Sequence, residues 1–505
     1  MAKRAQPGGT WASPITIQSL VEGAVGASDL KVFEGRLYWL ESRPAEGGRV
    51  VAMTLEDDEP KPLTAAPYSL RTRVHEYGGA PFVVADGVLY FSNFADQRLH
   101  ALVDGGEAQP LTPEGYRYAD AAALPGGGLV AVREDHTHPG EVKNAIARLS
   151  GVAGDPGRVL FGASDFVAFP RPSPDGKRLA FIAWDQPNMP WDTTSLYVGE
   201  LADGALQDLK LIAGGDQESV IDPKWSADGV LHFISDRSGF WNLYSWDGRE
   251  VRLVLARDAE FGGPLWVFGQ SSYALFPDGR ILACYGEGGR SHLVVIDPDG
   301  GSREIEVPFT ECGELHALDD RRAAMLAAFP DQTPAVVTVD IDSGEMSIVR
   351  RPSPAKVDPA CISTAQAISF PSAGGRTAHA LYYPPQNGAF ELPPDQPPPL
   401  IVQAHGGPTS QAGSGFSLSK QFWTSRGFAL VDVDYGGSSG YGRAYRQLLN
   451  GQWGVVDVED VIAAAEYLAK TGRADRRRIA IHGGSAGGFT VLAALAGSDV
   501  FSAGG

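Results

Sequence analysis

The sequence predicts two architectures in one chain: a closed β-propeller of seven blades, then a parallel sheet with helices between its strands. Three observations predict this. A strand-and-turn unit recurs at intervals of roughly 40 to 52 residues between positions 28 and 345, the period of propeller blades. Beyond position 352 apolar strands alternate with helical patterns, which is how a parallel α/β layer reads. The chain is also rich in turn formers, with 62 glycines and 36 prolines among 505 residues at an ordinary 43% hydrophobic content.

The blade strands read 35–40 (GRLYWL), 87–92 (GVLYFS), 128–132 (GLVAV), 177–182 (KRLAFI), 229–234 (GVLHFI), 279–284 (GRILAC) and 322–326, the last being the weakest pattern. Three of the turns are near copies, Ser173-Pro174-Asp175-Gly176, Ser226-Ala227-Asp228-Gly229 and Phe276-Pro277-Asp278-Gly279. Asp-Gly supplies the positive φ of a tight hairpin, and the strand after it alternates inward and outward. Second strands with their own turns follow, as at 242–246 and 293–296. Several strands per unit, repeated about seven times, favour a propeller over a sandwich.

Residues 351–359 form a Pro-containing connector, followed by a strand pair at 367–370 and 378–383 and a Pro-rich loop at 391–399. Next come a strand at 400–403, a helix at 417–426, a strand at 429–433 and an amphipathic helix at 457–470. In that helix Val458, Val461, Ile462, Ala465 and Leu468 share one face, and Asp457 is read as its N-cap. A strand at 478–482 and a helix at 486–495 follow. The expected units are thus an N-terminal segment 1–27, a propeller 28–350 and an α/β unit 360–505.

Charge and composition exclude several classes. With 42 basic and 61 acidic side chains the net charge is −19, so a nucleic-acid or anionic-membrane surface would have to be a local exception to a repulsive field. No run of 18 apolar residues occurs, and no apolar stretch follows Lys3 and Arg4, so neither a membrane span nor an ordinary signal peptide is expected. The three cysteines, Cys284, Cys312 and Cys361, are scattered and odd in number, which argues against a disulfide framework or a thiolate metal cage and for a reduced, cytoplasmic protein.

The strongest chemical signal is Gly483-Gly484-Ser485-Ala486-Gly487, set between a strand and a helix. This is the pattern G-x-S-x-G, in which small flanking residues permit a strained turn that lifts a serine hydroxyl above the sheet. A plain Gly-rich turn or a phosphate cradle is the bland alternative. His405-Gly406-Gly407-Pro408 follows the strand at 400–403. Such a loop can offer a backbone N–H from Gly406 or Gly407, beside that of Ala486, to a developing oxyanion, although a purely structural turn reads the same way.

Together with these motifs, 434–443 (DYGGSSGYGR) and 450–460 (NGQWGVVDVED) closely resemble the prolyl oligopeptidase family of serine peptidases, in particular its acylaminoacyl-peptidase and dipeptidyl-aminopeptidase-like branch. Upstream, 71–79 (RTRVHEYGG) and 184–192 (WDQPNMPWD) look like stretches that this branch carries in its propeller. The resemblance implies a β-propeller covering an α/β-hydrolase domain, with Ser485 as the acylating nucleophile and Ala486 and the His405-Gly406-Gly407 loop as the oxyanion site. Some relatives place a tyrosine where His405 stands, so a side-chain donor there is left open. Short peptides are the implied substrates, with Glu76 a candidate for holding a substrate amine and a solvated carboxylate the plainer reading. No cofactor and no metal are implied, since acyl transfer by serine needs none. Glu134-Asp135-His136-Thr137-His138 imitates a metal site, but neighbouring ligands on one loop rarely close a coordination sphere. Cys361 reads as an ordinary partly buried thiol. The sequence does not tell the oligomeric state or the residue preferred at the scissile bond.

A serine hydroxyl needs a base, and the base an orienting carboxylate, which this fold supplies in the order Ser, Asp or Glu, His. All ten histidines precede Ser485, and Asp499 is the one acid after it. The expectation is therefore an incomplete α/β-hydrolase domain: a chain cut about halfway through it, catalytically dead or nearly so, with the strand at 478–482 left as an unprotected edge. His482, three residues before the serine on a strand, should turn its ring to a sheet surface and not to the hydroxyl. A carboxylesterase-type acyl hydrolase and a non-catalytic propeller binding module are the alternatives.

Overall fold

Seven four-stranded antiparallel sheets succeed one another along the chain, at 27–62, 82–110, 116–161, 166–214, 220–255, 273–305 and 311–350, and form the blades of a β-propeller. The computed structural model describes residues 3–22, 24–103 and 106–505. Each strand expected from the repeat is the second strand of a blade, including the weakest, which is Arg322–Ala328. These strands stand out as apolar runs because they are packed on both sides, as in Arg178–Trp184, where Leu179 to Ile182 are fully buried. At the copied turns Gly176, Gly229 and Gly279 have φ of 70°, 84° and 88°, the left-handed conformation that the Asp-Gly pattern anticipates.

Each blade is built from four consecutive strands, so blade 7 meets blade 1 through side chains. There Glu314 Oε2 accepts from the Leu30 N–H at 2.6 Å, Arg350 Nε donates to Glu41 Oε1 at 2.8 Å, and Trp39 and Leu37 pack against Ala324 and Val336. Cys284 of blade 6 and Cys312 of blade 7 are joined as a disulfide. This corrects the expectation of unpaired thiols: 28 residues separate the two in sequence, but adjacent blades bring them together. Cys361 is free and buried.

The second unit is a six-stranded sheet of β1 (Gln366–Pro371), β2 (Thr377–Tyr383), β3 (Leu400–Ala404), β4 (Ala429–Asp434), β5 (Ile479–Gly483) and β6 (Ala503–Gly504), in the order β1-β2-β4-β3-β5-β6. β1, β2 and β4 pair antiparallel, and β4, β3, β5 and β6 pair parallel. The strand before Ser485 is thus not a bare edge. Ala480 and Ile481 pair with Ala503 and Gly504, the Gly505 N–H donates to Ile481 O, and Gly505 O accepts from the Gly483 N–H. The helices are α1 (Leu418–Thr424), α2 (Gly442–Arg446), α3 (Val456–Lys470) and α4 (Ala486–Gly497). Ser417 caps α1 by accepting from the Lys420 N–H.

Asp457 is not the N-cap of α3. It lies inside the first turn, fully buried, where its carboxylate accepts from the Gly454 N–H and the Thr490 hydroxyl and so ties α3 to α4. The start of the chain docks on this same unit. Arg4 and Ala5 pair with Phe390 and Glu391, Gly9 N–H donates to Arg426 O at 2.9 Å, and Trp11 stacks on Phe390.

The two units meet through directed contacts. Gly415 N–H donates to Glu311 Oε1 at 2.7 Å, and Arg443 N–H donates to Gly239 O at 2.8 Å. No helix among the described residues is long and apolar enough to cross a membrane.

Candidate active site

Ser485 sits between β5 and α4 with φ 53° and ψ −123°, a conformation that costs a non-glycine residue on the order of 1–3 kcal/mol and persists only when its surroundings impose it. The surroundings are the neighbouring strand. A Cβ on Gly487 would collide with the carbonyl oxygen of Ala404 in β3 and meet His405 O at 2.8 Å. A Cβ on Gly483 would stand 2.6 Å from Gly487 O and 2.9 Å from Ala404 O. Gly484 has open space around it. The two glycines that flank the turn are therefore required by packing, while the one directly before the serine is not.

The Ser485 carbonyl accepts from the N–H groups of Gly488 and Phe489, which starts α4 on the serine itself. Its hydroxyl is exposed and has no hydrogen-bond partner among the described residues. The first N–H groups of a helix have no partner within it, and in α4 these include that of Ala486. The His405-Gly406-Gly407 loop passes alongside: a Cβ on Gly406 would lie 3.5 Å from Ser485 Cβ and 3.2 Å from Gly484 O.

His405 turns away from the serine. Its Nδ1 donates to Gly406 O at 2.8 Å, so Nε2 is the acceptor and takes the Ser438 hydroxyl at 2.7 Å. The ring is buried and stacked on Tyr435, with centroids 4.4 Å apart, and burial holds its pKa below the usual histidine value. The side chain thus supports the loop, and the loop's backbone is what faces the serine. The DYGG stretch completes this support. Tyr435 hydroxyl donates to His405 O at 2.9 Å, and Asp434 accepts from Ala412 N–H at 2.6 Å and from Tyr441 hydroxyl at 2.8 Å. Burial pushes the Asp434 carboxyl up to about 7. His482 is exposed on β5, and the structure gives it no bond to Ser485.

On the propeller side a cavity of about 690 Å³ is walled by Phe166, Trp184, Trp191, Trp266 and Phe268, with Glu76 on its border. The stretches 71–79 and 184–192, far apart in sequence, both contribute to it. Glu134 and His136 also line it. Glu134 accepts from the His75 N–H at 2.7 Å and pairs with His136 Nε2 at 2.9 Å, and no cluster able to hold a metal occurs among the described residues. Trp266 joins this wall to the loop that follows His405-Gly406-Gly407-Pro408: its indole N–H donates to Thr409 O at 2.6 Å, and its ring lies 4.4 Å from Trp191.

Sequence reasoning missed Trp266, Asp236, Glu260 and Arg446, and it quoted Arg443 only as the end of the 434–443 motif. Their partners lie between 143 and 210 positions away, so no local pattern announces them.

The prolyl oligopeptidase family pattern matches residues 414–505, which include the elbow. Over nearly the whole chain the fold is that of a puromycin-hydrolyzing peptidase of Mycobacterium tuberculosis, with TM-score 0.95 and 38% identity, covering 99% of this chain and 80% of that one. The chain belongs to the prolyl oligopeptidase family. A second solved structure, a puromycin hydrolase, agrees at TM-score 0.94 and 37% identity, again covering 99% and 80%. Among sequence relatives, dipeptidyl peptidase family member 6 of Caenorhabditis elegans is 37% identical over 102 residues, 20% of this chain and 14% of that protein. Acylamino-acid-releasing enzyme 1 of Oryza sativa subsp. japonica is 43% identical over 91 residues, 18% of this chain and 12% of that protein. The aligned stretch therefore spans about a seventh of the length of these sequence relatives. As a prolyl oligopeptidase family member the chain has the lineage of a peptide hydrolase, and its propeller and α/β-hydrolase units are those of the family.

Proposed function

We propose that Ser485 is the nucleophile of a serine-type peptidase that hydrolyses short peptides through an acyl-enzyme, with the N–H groups of Ala486 and of Gly406 or Gly407 receiving the oxyanion. The carrying observation is the left-handed Ser485, forced by the packing of Gly483 and Gly487 against β3 and followed at once by a helix. We take 28–350 as the propeller domain, 360–505 as the hydrolase domain and 1–27 as a segment preceding both. Glu76, on the border of the aromatic cavity, is the proposed partner of a substrate ammonium group. Puromycin, the substrate in the name of the similar Mycobacterium tuberculosis enzyme, is a candidate alongside aminoacyl p-nitroanilides.

These 505 residues offer Ser485 no base. His405 is committed to Gly406 and Ser438, and no histidine follows the serine. We therefore propose that they turn over peptides slowly or not at all, since loss of the triad base lowers turnover by about 10⁶. The test is labelling by a fluorophosphonate with and without added imidazole, next to turnover of puromycin and an aminoacyl p-nitroanilide. Weak labelling of Ser485 that imidazole raises, and that Ser485→Ala abolishes, is expected. Rapid turnover without imidazole overturns the inactivity, and labelling that survives Ser485→Ala overturns the nucleophile. We also place the protein in the cytoplasm, as its cysteine content suggested. The Cys284–Cys312 bond pulls the other way, and cell fractionation decides.

A further inference from the structure

Blades 6 and 7 are joined by more than packing. Cys284, buried in the second strand of blade 6, is bonded to Cys312, which is partly exposed near the start of the first strand of blade 7. With Cys361 free, this is the single covalent cross-link among the described residues. Its position ties it to the second unit as well. Glu311, the residue before Cys312, takes the Gly415 N–H on its Oε1 at 2.7 Å. Glu311 and Cys312 pair with Ala328 and Ala327 of the next strand, and Phe329 O, just beyond, takes the Phe416 N–H at 2.6 Å.

The approach is close. A Cβ on Gly413 would stand 2.9 Å from Glu311 Oε1, and one on Gly415 would stand 2.8 Å from Ala328 Cβ. Residues 413–416 are therefore laid against the corner of blade 7 that Cys312 anchors. They close the loop that begins at Gly406, where a Cβ would lie 3.5 Å from Ser485 Cβ. One end of this loop thus faces the serine, and the other rests on the cross-linked corner.

Opening the bond would not part the blades. Ser291 N–H still donates to Thr310 O at 2.7 Å, Cys312 N–H to Ser291 Oγ at 3.3 Å and Leu315 N–H to Ser271 O at 3.0 Å. Leu282 and Val295 of blade 6 and Leu315 and Met325 of blade 7 also belong to one apolar core. A cross-link acts chiefly by removing conformations from the opened state, so its loss is felt as more frequent local opening of the corner it closed.

We propose that the Cys284–Cys312 bond is a redox latch on the loop 406–416: closed, it holds the corner of blade 7 on which 413–416 rest, and reduced by a dithiol of the thioredoxin class it frees that end of the loop. One thiolate of the dithiol attacks the Cys312 sulfur, the more accessible of the two, forming a mixed disulfide while the Cys284 sulfur leaves and takes a proton. The second thiol of the reductant then displaces the Cys312 sulfur, which is protonated in turn. The protein gains two electrons and two protons, and the dithiol becomes a disulfide. The latch is closed in an oxidising compartment and open in a reducing one. It stands whether or not Ser485 is a nucleophile.

The test is amide exchange of the full chain carrying Cys361→Ser, oxidised or reduced with dithiothreitol, with the state of the bond read by alkylation and mass spectrometry. The Gly415 and Phe416 amides should exchange about tenfold faster or more in the reduced protein, and blades 2 and 3 should not change. Adding Cys284→Ser and Cys312→Ser should give the fast rate under both conditions. If that variant does not fold, the oxidised and reduced forms alone decide. Equal rates at 415 and 416 in the two forms overturn the proposal. So do faster exchange spread evenly over the seven blades, which marks a merely stabilising bond, and thiols that stay free in the oxidised sample.

Discussion

Arg443 reaches from the hydrolase unit into blade 5 and places its Nη1 2.6 Å from Asp236 Oδ2. Arg446 holds the same oxygen, and its guanidinium lies 4.0 Å over the Trp241 ring. The Asp236 side chain is wholly buried, and Glu260 beside it accepts from the Gly442 and Trp241 N–H groups. This buried cluster clamps α2, and with it the Gly-rich loop behind His405, to the propeller.

Asp236→Ala is expected to cost about 3–5 kcal/mol, because it strands two arginines at a dry boundary. Arg443→Met should cost less, since Arg446 still neutralises the carboxylate. Urea unfolding followed by fluorescence ranks the two, and an equal loss would show that the second arginine carries none of the pair.

The elbow glycines should differ sharply. Gly487→Ala drives a methyl into the Ala404 carbonyl and is expected to destabilise by about 3 kcal/mol or more, through strain in a packed core. Gly484→Ala meets nothing within 4 Å and its φ is not positive, so it should leave stability unchanged or raise it by about 0.5 kcal/mol. Melting temperatures of the two variants check the contrast.

Burial among Phe166, Trp184 and Phe268 pushes the His75 ring down to about 4 from its ordinary 6.5. The folded state thus favours neutral His75. The associated stability is whole above pH 6.5 and is lost as the pH falls toward 4. His75→Phe keeps the ring packing and removes the titration, so its urea midpoint should fall less between pH 7 and pH 4.5 than that of the wild type. His232, also held to about 4 by burial, supplies part of the remaining loss.

Trp266→Phe removes the single hydrogen bond from the cavity wall to Thr409 O. About 1 kcal/mol of stability should go with it. Amide exchange should quicken in 405–412 and stay unchanged in blades 1 and 2.

Much of this was legible in the sequence because it rests on short-range pattern. Each blade announces itself through one apolar strand, blades 2, 4, 5 and 6 through an Asp-Gly turn before it as well, and the serine elbow needs only its own glycines and flanking elements. Asp457 misled because an acid at the start of an apolar face reads as a cap, whereas Thr490 and Gly454 draw it inside the helix. Ring closure by Glu314, the clamp on Asp236 and the wall at Trp266 pair residues far apart in the chain, and only the closed ring and its docked partner bring them together. The inner strands were faint because their register shifts break the alternation that marks a strand.

The docking of the first residues sets an order on synthesis. Gly9 bonds Arg426, Ser13 bonds Ser425, and Ala12 O accepts from Asn387. Gly9 and Ser13 therefore wait more than 400 residues of synthesis for their partners, and the stretch that encodes all seven blades is made in between. Residues 4–13 thus complete the surface of the hydrolase unit although they precede every blade in the sequence.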